Sequence, residues 1–151
     1  IDSQDISGIL KNVYDDTLNF ILRNLKRIQG NRGVNTLGEL EIPRIVFEEM
    51  IVNALIHRNY FISAPIRIFI FLNRIEIISP GHLPNNLTVN NIKSGISNMR
   101  NPTLDSFATK ILPYRGLGSG ILRTIKSYKH IDFDDDRDGN VFKVTIRRPT
   151  S

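Results

Sequence analysis

The sequence predicts an α+β domain, a two-layer sandwich in which helices cover one face of a mixed β-sheet. Two kinds of pattern support this class. Isoleucine occupies every second position over 66–71, at Ile66, Ile68 and Ile70, and apolar and polar residues alternate over 142–147; both patterns are typical of strands. Over 1–30 apolar residues recur at helical spacing, and over 44–59 they would cover almost every side of a helix. The order helix, strand, helix, hairpin, long loop, helix, hairpin favours helices packed on one side of a sheet.

The first half of the chain supplies the larger helices. A helix is predicted over Ile1–Gly30, because an apolar stripe runs along it at spacings of three and four: Leu18, Ile21, Leu22, Leu25 and Ile28. A short strand is predicted within Val34–Ile42. Pro43 fits the entry to a second helix over about Arg44–Asn59, which we expect to be buried.

The rest consists of two hairpins, a long irregular segment and a last helix, whose apolar stripe is Ile121, Leu122 and Ile125. The first hairpin joins a strand around Ile66–Phe71 to one over Ile75–Ile78, which Ser79-Pro80-Gly81 is expected to end. Residues 82–115 are rich in Asn, Ser and Pro, as in a lid over a site, with a short helix expected near Leu104–Ile111. The closing hairpin follows, with an acidic turn over Asp134–Asn140.

Composition restricts the chemistry. The 151 residues fit one domain, 1–151, and because the chain begins with Ile1 we expect it to be a fragment of a longer protein. Without cysteine there is no thiolate nucleophile, disulfide or thiolate metal site. No apolar run approaches the roughly 18 residues of a membrane helix, so no membrane partner and a cytoplasmic location are expected. A net charge of +5 permits an anionic ligand without requiring one.

Glu49, Asn53 and His57 are spaced four residues apart and would form one polar stripe on an oily helix. A buried carboxylate and amide need partners, and a hydrated Mg²⁺ would provide them. The stripe would equally be explained by a solvent-facing side of the helix, or by bonds to neighbouring loops.

Glycines at alternate positions precede the last predicted helix. In the segment Gly116-Leu117-Gly118-Ser119-Gly120, backbone N–H groups can approach a phosphate closely, although a simple turn and cap explains the pattern as well. Gly81 would let the backbone approach a flat ligand, and Arg100 would reach a phosphate from the lid. An ordinary turn and a solvated Arg are the alternatives for these two residues.

The order of these motifs resembles the Bergerat-type (GHKL) ATP-binding fold of gyrases, ninety-kilodalton heat-shock chaperones, sensor histidine kinases and mismatch-repair proteins. The resemblance is closer to one branch of this fold, which is named for the C-terminal domain of RecG-like helicases. It is carried by FEEMIVNALIHRNY (47–60), NRIEIISPGHLP (73–84), MRNP (99–102) and GLGSGILR (116–123). The similarity covers about 15–148, and no helicase motor motif is present.

The resemblance implies a nucleotide site that uses ATP and Mg²⁺. Glu49 would orient the water that attacks the γ-phosphate, and Asn53 would hold the metal. Gly81 would admit the adenine and ribose, while Gly116, Gly118 and Gly120 would cradle the phosphates. Ser79 stands where the wider superfamily has an Asp that reads the adenine amino group, and His82 replaces the second glycine of the branch's Pro-Gly-Gly.

Three functions follow from these observations. The first is an ATP-binding domain of a DNA-associated or transcription-regulatory protein, with slow Mg²⁺-dependent hydrolysis and DNA contacted through other parts of the parent protein. The second is a non-catalytic interaction or dimerisation module, a homodimer included, that keeps the fold with a degenerate nucleotide site. The third is direct nucleic-acid binding, which Arg147 and Arg148 favour slightly, although aromatic residues do not interleave with the basic ones in the sequence.

Overall fold

The fold was obtained as a computed structural model that describes residues 3–28, 38–84, 87–94 and 119–149. Its helices and strands, in chain order, are α1 (Ser3–Arg23), β1 (Arg27–Ile28), β2 (Glu39–Leu40), α2 (Arg44–His57), β3 (Arg67–Ile70), β4 (Arg74–Pro80), α3 (Val89–Lys93), α4 (Ser119–Ser127), β5 (Ile131–Asp136) and β6 (Val141–Arg147). The predicted α+β class is confirmed. In the part of the chain that is described, every strand pair is antiparallel, whereas a mixed sheet was expected.

The four longer strands form one sheet in the order β3-β4-β6-β5. Strand β6 is central and pairs with β4 from Arg74↔Arg147 to Pro80↔Val141. Residues on one face of this sheet are buried under α2, among them Ile75, Ile77 and Ile146, none of which is exposed. The alternation that predicted the strands therefore separates the core from the opposite, more polar face.

Helix α2 is the centre of the core. Nine of its fourteen residues are buried, because apolar side chains surround it almost completely. Pro43 occupies its N-cap position, and Arg58 ends it with an N–H that donates to the Ala54 carbonyl. The prediction of a buried helix at this place is confirmed, and its end comes at His57 instead of Asn59.

Helix α1 ends seven residues before the predicted position. The Asn24 side chain donates to the Phe20 carbonyl, and the backbone N–H of Lys26 donates to the Glu41 carboxylate at 2.5 Å. These bonds draw the chain into the small ribbon of β1 and β2. Ile28, which the apolar stripe placed inside the helix, is half exposed in β1.

Two other boundaries and one additional helix differ from the predictions. Strand β4 runs on through Pro80, so Ser79 lies inside the strand. Strand β5 extends to Asp136, where an acidic turn was expected from Asp134 onwards, because Asp134 and Asp136 pair with β6. Helix α3 was not predicted; Thr88 and Asn91 form a capping box at its start. The helix expected at 104–111 falls outside the described residues.

Candidate functional site

The predicted polar stripe of Glu49, Asn53 and His57 runs along the buried helix α2. The Glu49 side chain is only 5% exposed, while Asn53 and His57, at the next two turns, are half-buried. The solvent-facing alternative is therefore wrong for Glu49. A carboxylate at this depth requires a compensating charge or several hydrogen bonds.

Asn53 faces a pocket that also contains two other predicted site residues, Ser79 and Gly81. The pocket opens to solvent, and its empty volume of about 540 Å³ includes part of that open space. It is mainly apolar, and its walls come from α2, β4, the loop after β4, α3, α4 and β6. The lining residues are Asn53, His57, Ser79, Gly81, His82, Leu83, Pro84, Leu87, Ile92, Ile121 and Phe142.

Gly81 forms the exit from β4 in a conformation that other residues rarely adopt, with φ 98°. Its N–H donates to the carbonyl of Asn140 at 2.8 Å, and the N–H of His82 donates to the Asn140 side chain at 3.2 Å. Asn140 itself has a positive φ of 54° at the β5–β6 turn. Two adjoining turns with left-handed backbone thus fix the edge of the pocket.

The loop after Gly81 is tied to strand β5. The Leu83 N–H donates to the Asp135 carboxylate at 2.7 Å, and Arg137 forms an ion pair with the same carboxylate at 3.0 Å. Arg137 also donates to the Leu87 carbonyl at 3.1 Å. These bonds hold one wall of the pocket in place through groups distant in sequence.

Ser79 lies on the floor of the pocket. It is buried, and its backbone pairs with Phe142 in the centre of the sheet. Its hydroxyl can accept one hydrogen bond and donate another, but it supplies no charge. A ligand that reaches Ser79 therefore meets a neutral polar group in apolar surroundings.

Arg123 on α4 supplies the compensating charge for Glu49. Its Nε and one terminal nitrogen donate to the same oxygen, Glu49 Oε1, at 2.9 and 2.7 Å. The Arg123 side chain is 27% exposed, so the pair joins a buried carboxylate to a partly accessible guanidinium. Sequence reasoning missed Arg123, although it stands three residues after Gly120 in the last quoted motif.

Gly120 brings the first turn of α4 against the same carboxylate. A Cβ atom at this position would lie 2.5 Å from Glu49 Oε2 and 3.5 Å from its Cδ. One turn further on, the fully buried Thr124 donates its hydroxyl to the Gly120 carbonyl at 2.8 Å. A side chain at 120 would therefore displace the Glu49 carboxylate, a contact that the sequence did not reveal.

Five of the nine predicted site residues lie close together in the structure. Asn53, Ser79 and Gly81 line the pocket, Glu49 lies one helical turn before Asn53, and Gly120 contacts Glu49. Ser119 begins α4, but its side chain is outside the described part. Arg100, Gly116 and Gly118, and most of the predicted lid, also lie outside it.

The two arginines considered for nucleic-acid binding are both engaged within the domain. Arg147 forms an ion pair with Asp132 at 2.6 Å. Arg148 is 8% exposed and pairs with Glu41 at 2.9 Å. The described residues therefore give no support for an interface at this pair.

Two other properties of the described residues bear on the site. None of the described helices is long and apolar enough to cross a membrane. Among the described side chains there is no cluster of three or more His, Asp or Glu residues arranged to hold a metal ion.

The comparisons with known proteins agree with this fold. The structure is similar to the crystal structure of the DIP2311 protein from Corynebacterium diphtheriae, with a TM-score of 0.76 and 23% sequence identity. The match covers 91% of this chain and 28% of that protein, so the chain corresponds to less than a third of the DIP2311 protein. No curated protein matches significantly. Residues 63–146 match the family model described as "Putative ATP-dependent DNA helicase recG C-terminal", and the chain belongs to this family of ATPase-like domains.

Proposed function

We propose that this domain binds ATP with Mg²⁺ in the pocket between α2 and the end of β4, and hydrolyses it slowly. The observation that carries the proposal is the convergence of Asn53, Ser79 and Gly81 on one pocket, with the Glu49 carboxylate one helical turn away. Membership of the ATPase-like family supports nucleotide binding independently of this geometry.

The residues are suited to the two ends of a nucleotide. The apolar walls and the open backbone at Gly81 would take the base, and the Ser79 hydroxyl would contact a polar group on its edge. The phosphates would extend towards the start of α4, where the helix N-terminus favours negative charge. Gly116, Gly118 and Arg100 are proposed to complete that end.

Asn53 suits the metal that the family implies. Mg²⁺ in phosphate sites is usually held by one or two protein oxygens together with phosphates and water, and an amide oxygen is an acceptable ligand. Asn53 projects into the pocket from a rigid, buried helix. Bound there, Mg²⁺ would neutralise phosphate charge.

Glu49 is the proposed catalytic residue. The attacking water would lose a proton to Glu49 while its oxygen forms the new bond to the γ-phosphorus. The bond from that phosphorus to the bridging oxygen breaks, and ADP leaves with the electron pair. Glu49 and Asn53 lie one turn apart on α2, so the helix sets the spacing between them.

The test is calorimetric titration of a non-hydrolysable ATP analogue, with and without Mg²⁺. We expect binding to wild type to weaken at least tenfold when Mg²⁺ is removed, and Asn53→Ala to weaken it similarly in the presence of Mg²⁺. Asn19→Ala, an exposed asparagine on α1, is the matched control and should bind as wild type does. A folded wild-type domain that binds no nucleotide at millimolar concentration would refute the proposal.

The alternative is an interaction module without catalysis. It is favoured by apolar side chains that the domain leaves uncovered, notably Phe61, which is fully exposed, and Leu72, which is 85% exposed. A homodimer would bury such groups. Concentration-dependent association that is lost in Phe61→Ser and Leu72→Ser variants, without any nucleotide binding, would support this alternative.

The wider setting is also a proposal. We infer that the domain works within a longer cytoplasmic protein that associates with DNA through other parts and regulates transcription. The small share of the DIP2311 protein that this chain covers and the RecG-related family support that inference. DNA binding by the parent protein, and none by this domain at moderate salt, is the expected result.

A further inference from the structure

We propose that Arg123 is a positioning residue that fixes the Glu49 carboxylate for attack by water. The inference rests on the proposed ATPase function and adds a residue to it. It follows from the geometry around the two carboxylate oxygens, which have different environments.

Oε1 of Glu49 receives both hydrogen bonds from Arg123, through Nε at 2.9 Å and a terminal nitrogen at 2.7 Å. Charge-assisted bonds of this kind are short and directional. With Oε1 held, the carboxylate cannot rotate about its last bond without breaking both contacts. Oε2 is thereby kept against the first turn of α4, beside Gly120.

The scaffold behind this arrangement is rigid. Glu49 lies on α2, nine of whose fourteen residues are buried, and Arg123 lies one turn into α4. Thr124, the next residue, is fully buried and bonds back to Gly120. Arg123 is therefore held in place by α4, and its two hydrogen bonds hold the Glu49 carboxylate in a fixed position relative to this helix.

This arrangement has a chemical consequence at the phosphate end of the site. Glu49 and a triphosphate are both anionic, and two uncompensated negative charges close together would repel. Arg123 offsets the charge of Glu49 and leaves Oε2 beside the first turn of α4, towards which the phosphates are proposed to extend. The guanidinium suits this role because its planar fork sets direction as well as charge, which a lysine ammonium does not.

The experiment measures phosphate release and analogue binding for Arg123→Gln, Arg123→Lys, Glu49→Gln and the Arg123→Gln/Glu49→Gln double variant. We expect Arg123→Gln to lower kcat at least about tenfold while the Kd for the analogue changes less than about threefold. Arg123→Lys should recover part of kcat. Lys126→Gln, an exposed cation on the same helix, is the matched control and should behave as wild type.

The double variant tests whether Arg123 acts through Glu49. In the Glu49→Gln background, Arg123→Gln should lower the residual rate by less than about twofold, because the group it positions has lost its function. An undiminished tenfold effect in that background would overturn the proposal. If Arg123→Gln does not fold, Arg123→Lys decides: an intermediate kcat supports positioning, and a wild-type kcat overturns it.

Failure of the underlying function would look different. A wild-type domain that binds no analogue refutes the ATP site itself. A wild-type domain that binds the analogue with Mg²⁺ but releases no phosphate leaves the nucleotide site standing and overturns the role of Arg123.

Discussion

Arg148 and Glu41, which are 107 residues apart in the sequence, form a buried bidentate ion pair. Arg148 Nε lies 2.9 Å from Glu41 Oε1, and a terminal nitrogen lies 2.9 Å from Oε2. The same guanidinium donates to the carbonyls of Asn24 and Phe71. One side chain thus joins the end of α1, the β2 side of the ribbon, the β3–β4 turn and the chain after β6.

This pair predicts how stability depends on pH. The hydrogen bonds from Arg148 hold the pKa of the Glu41 carboxyl below its ordinary value of 4.5, although burial acts in the opposite direction. Because the pKa is lowered by folding, the stabilisation is fully present above pH 4.5 and is lost as pH falls through the lowered value. We expect the difference in unfolding free energy between wild type and Glu41→Gln to be largest near pH 7 and to shrink below pH 4, in urea titrations. A constant difference from pH 3 to pH 7 would contradict the prediction.

Removing one partner of the pair should cost more than removing both. Arg148→Ala leaves the Glu41 carboxylate buried without its main partner, so we expect a loss of about 3–5 kcal/mol in unfolding free energy. Glu41→Gln/Arg148→Met should lose less than that single variant. Arg147→Ala is the control, since its ion pair with Asp132 is more than half exposed on both sides and should contribute about 1 kcal/mol or less.

Gly120→Ala should disturb Glu49 through a steric contact. The added methyl would lie 2.5 Å from Oε2 of a carboxylate that is buried and held by Arg123. We expect a loss of about 1–3 kcal/mol in unfolding free energy, together with a lower kcat. In a Glu49→Ala background the same change should be neutral or stabilising, because alanine favours helix over glycine. A cost that persists in that background would show that the contact with Glu49 is not its cause.

Gly81→Ala should weaken both stability and nucleotide binding. With φ at 98°, a side chain strains the backbone by about 1–3 kcal/mol, and Gly81 is one of the residues that line the pocket. We expect a lower melting temperature and a higher Kd for the ATP analogue. An unchanged melting temperature would mean that the turn relaxes readily, contrary to the bonds that Asn140 makes with it.

Ser79→Ala tests how the base is recognised. If the Ser79 hydroxyl contacts the polar edge of adenine, its loss should cost about 1 kcal/mol, which is about a fivefold increase in Kd for ATP. GTP, which presents a carbonyl in place of the amino group, should respond differently, so the ratio of the two Kd values is the measurement. Ser94→Ala, on an exposed residue outside the pocket, is the control. An unchanged ratio would remove Ser79 from base recognition.

The sequence predicted what local periodicity encodes and failed where a distant partner decides. Helix α2 and the two hairpins follow from their own residues, so their predictions hold. The end of α1 does not follow from its own residues, because the backbone N–H of Lys26 donates to the Glu41 carboxylate. No pattern in 1–30 indicates that bond. Leu25 and Ile28 continued the apolar stripe into a segment where backbone pairing with β2 takes over.

The same distinction applies to the candidate site. Glu49 and Asn53 could be predicted from the sequence because polar residues on a mainly apolar helix need polar partners. Arg123 could not be predicted in this way, because an arginine on an amphipathic helix usually faces solvent and only the structure shows its bond to Glu49. Gly120 was singled out for closeness to phosphate, and the structure supplies closeness to a carboxylate as an independent reason.

The central position of β6 has a consequence for how the domain is made. Strand β4 emerges from the ribosome well before the segment that becomes its neighbour, and until then the edge it will offer to Val141–Arg147 is unpaired. Arg148, the partner of Glu41, and Asn140, the partner of the Gly81 turn, are synthesised equally late. Nascent chains stopped before residue 141 should therefore remain protease-sensitive and prone to aggregate, since the edge of β4 has no neighbouring strand to pair with.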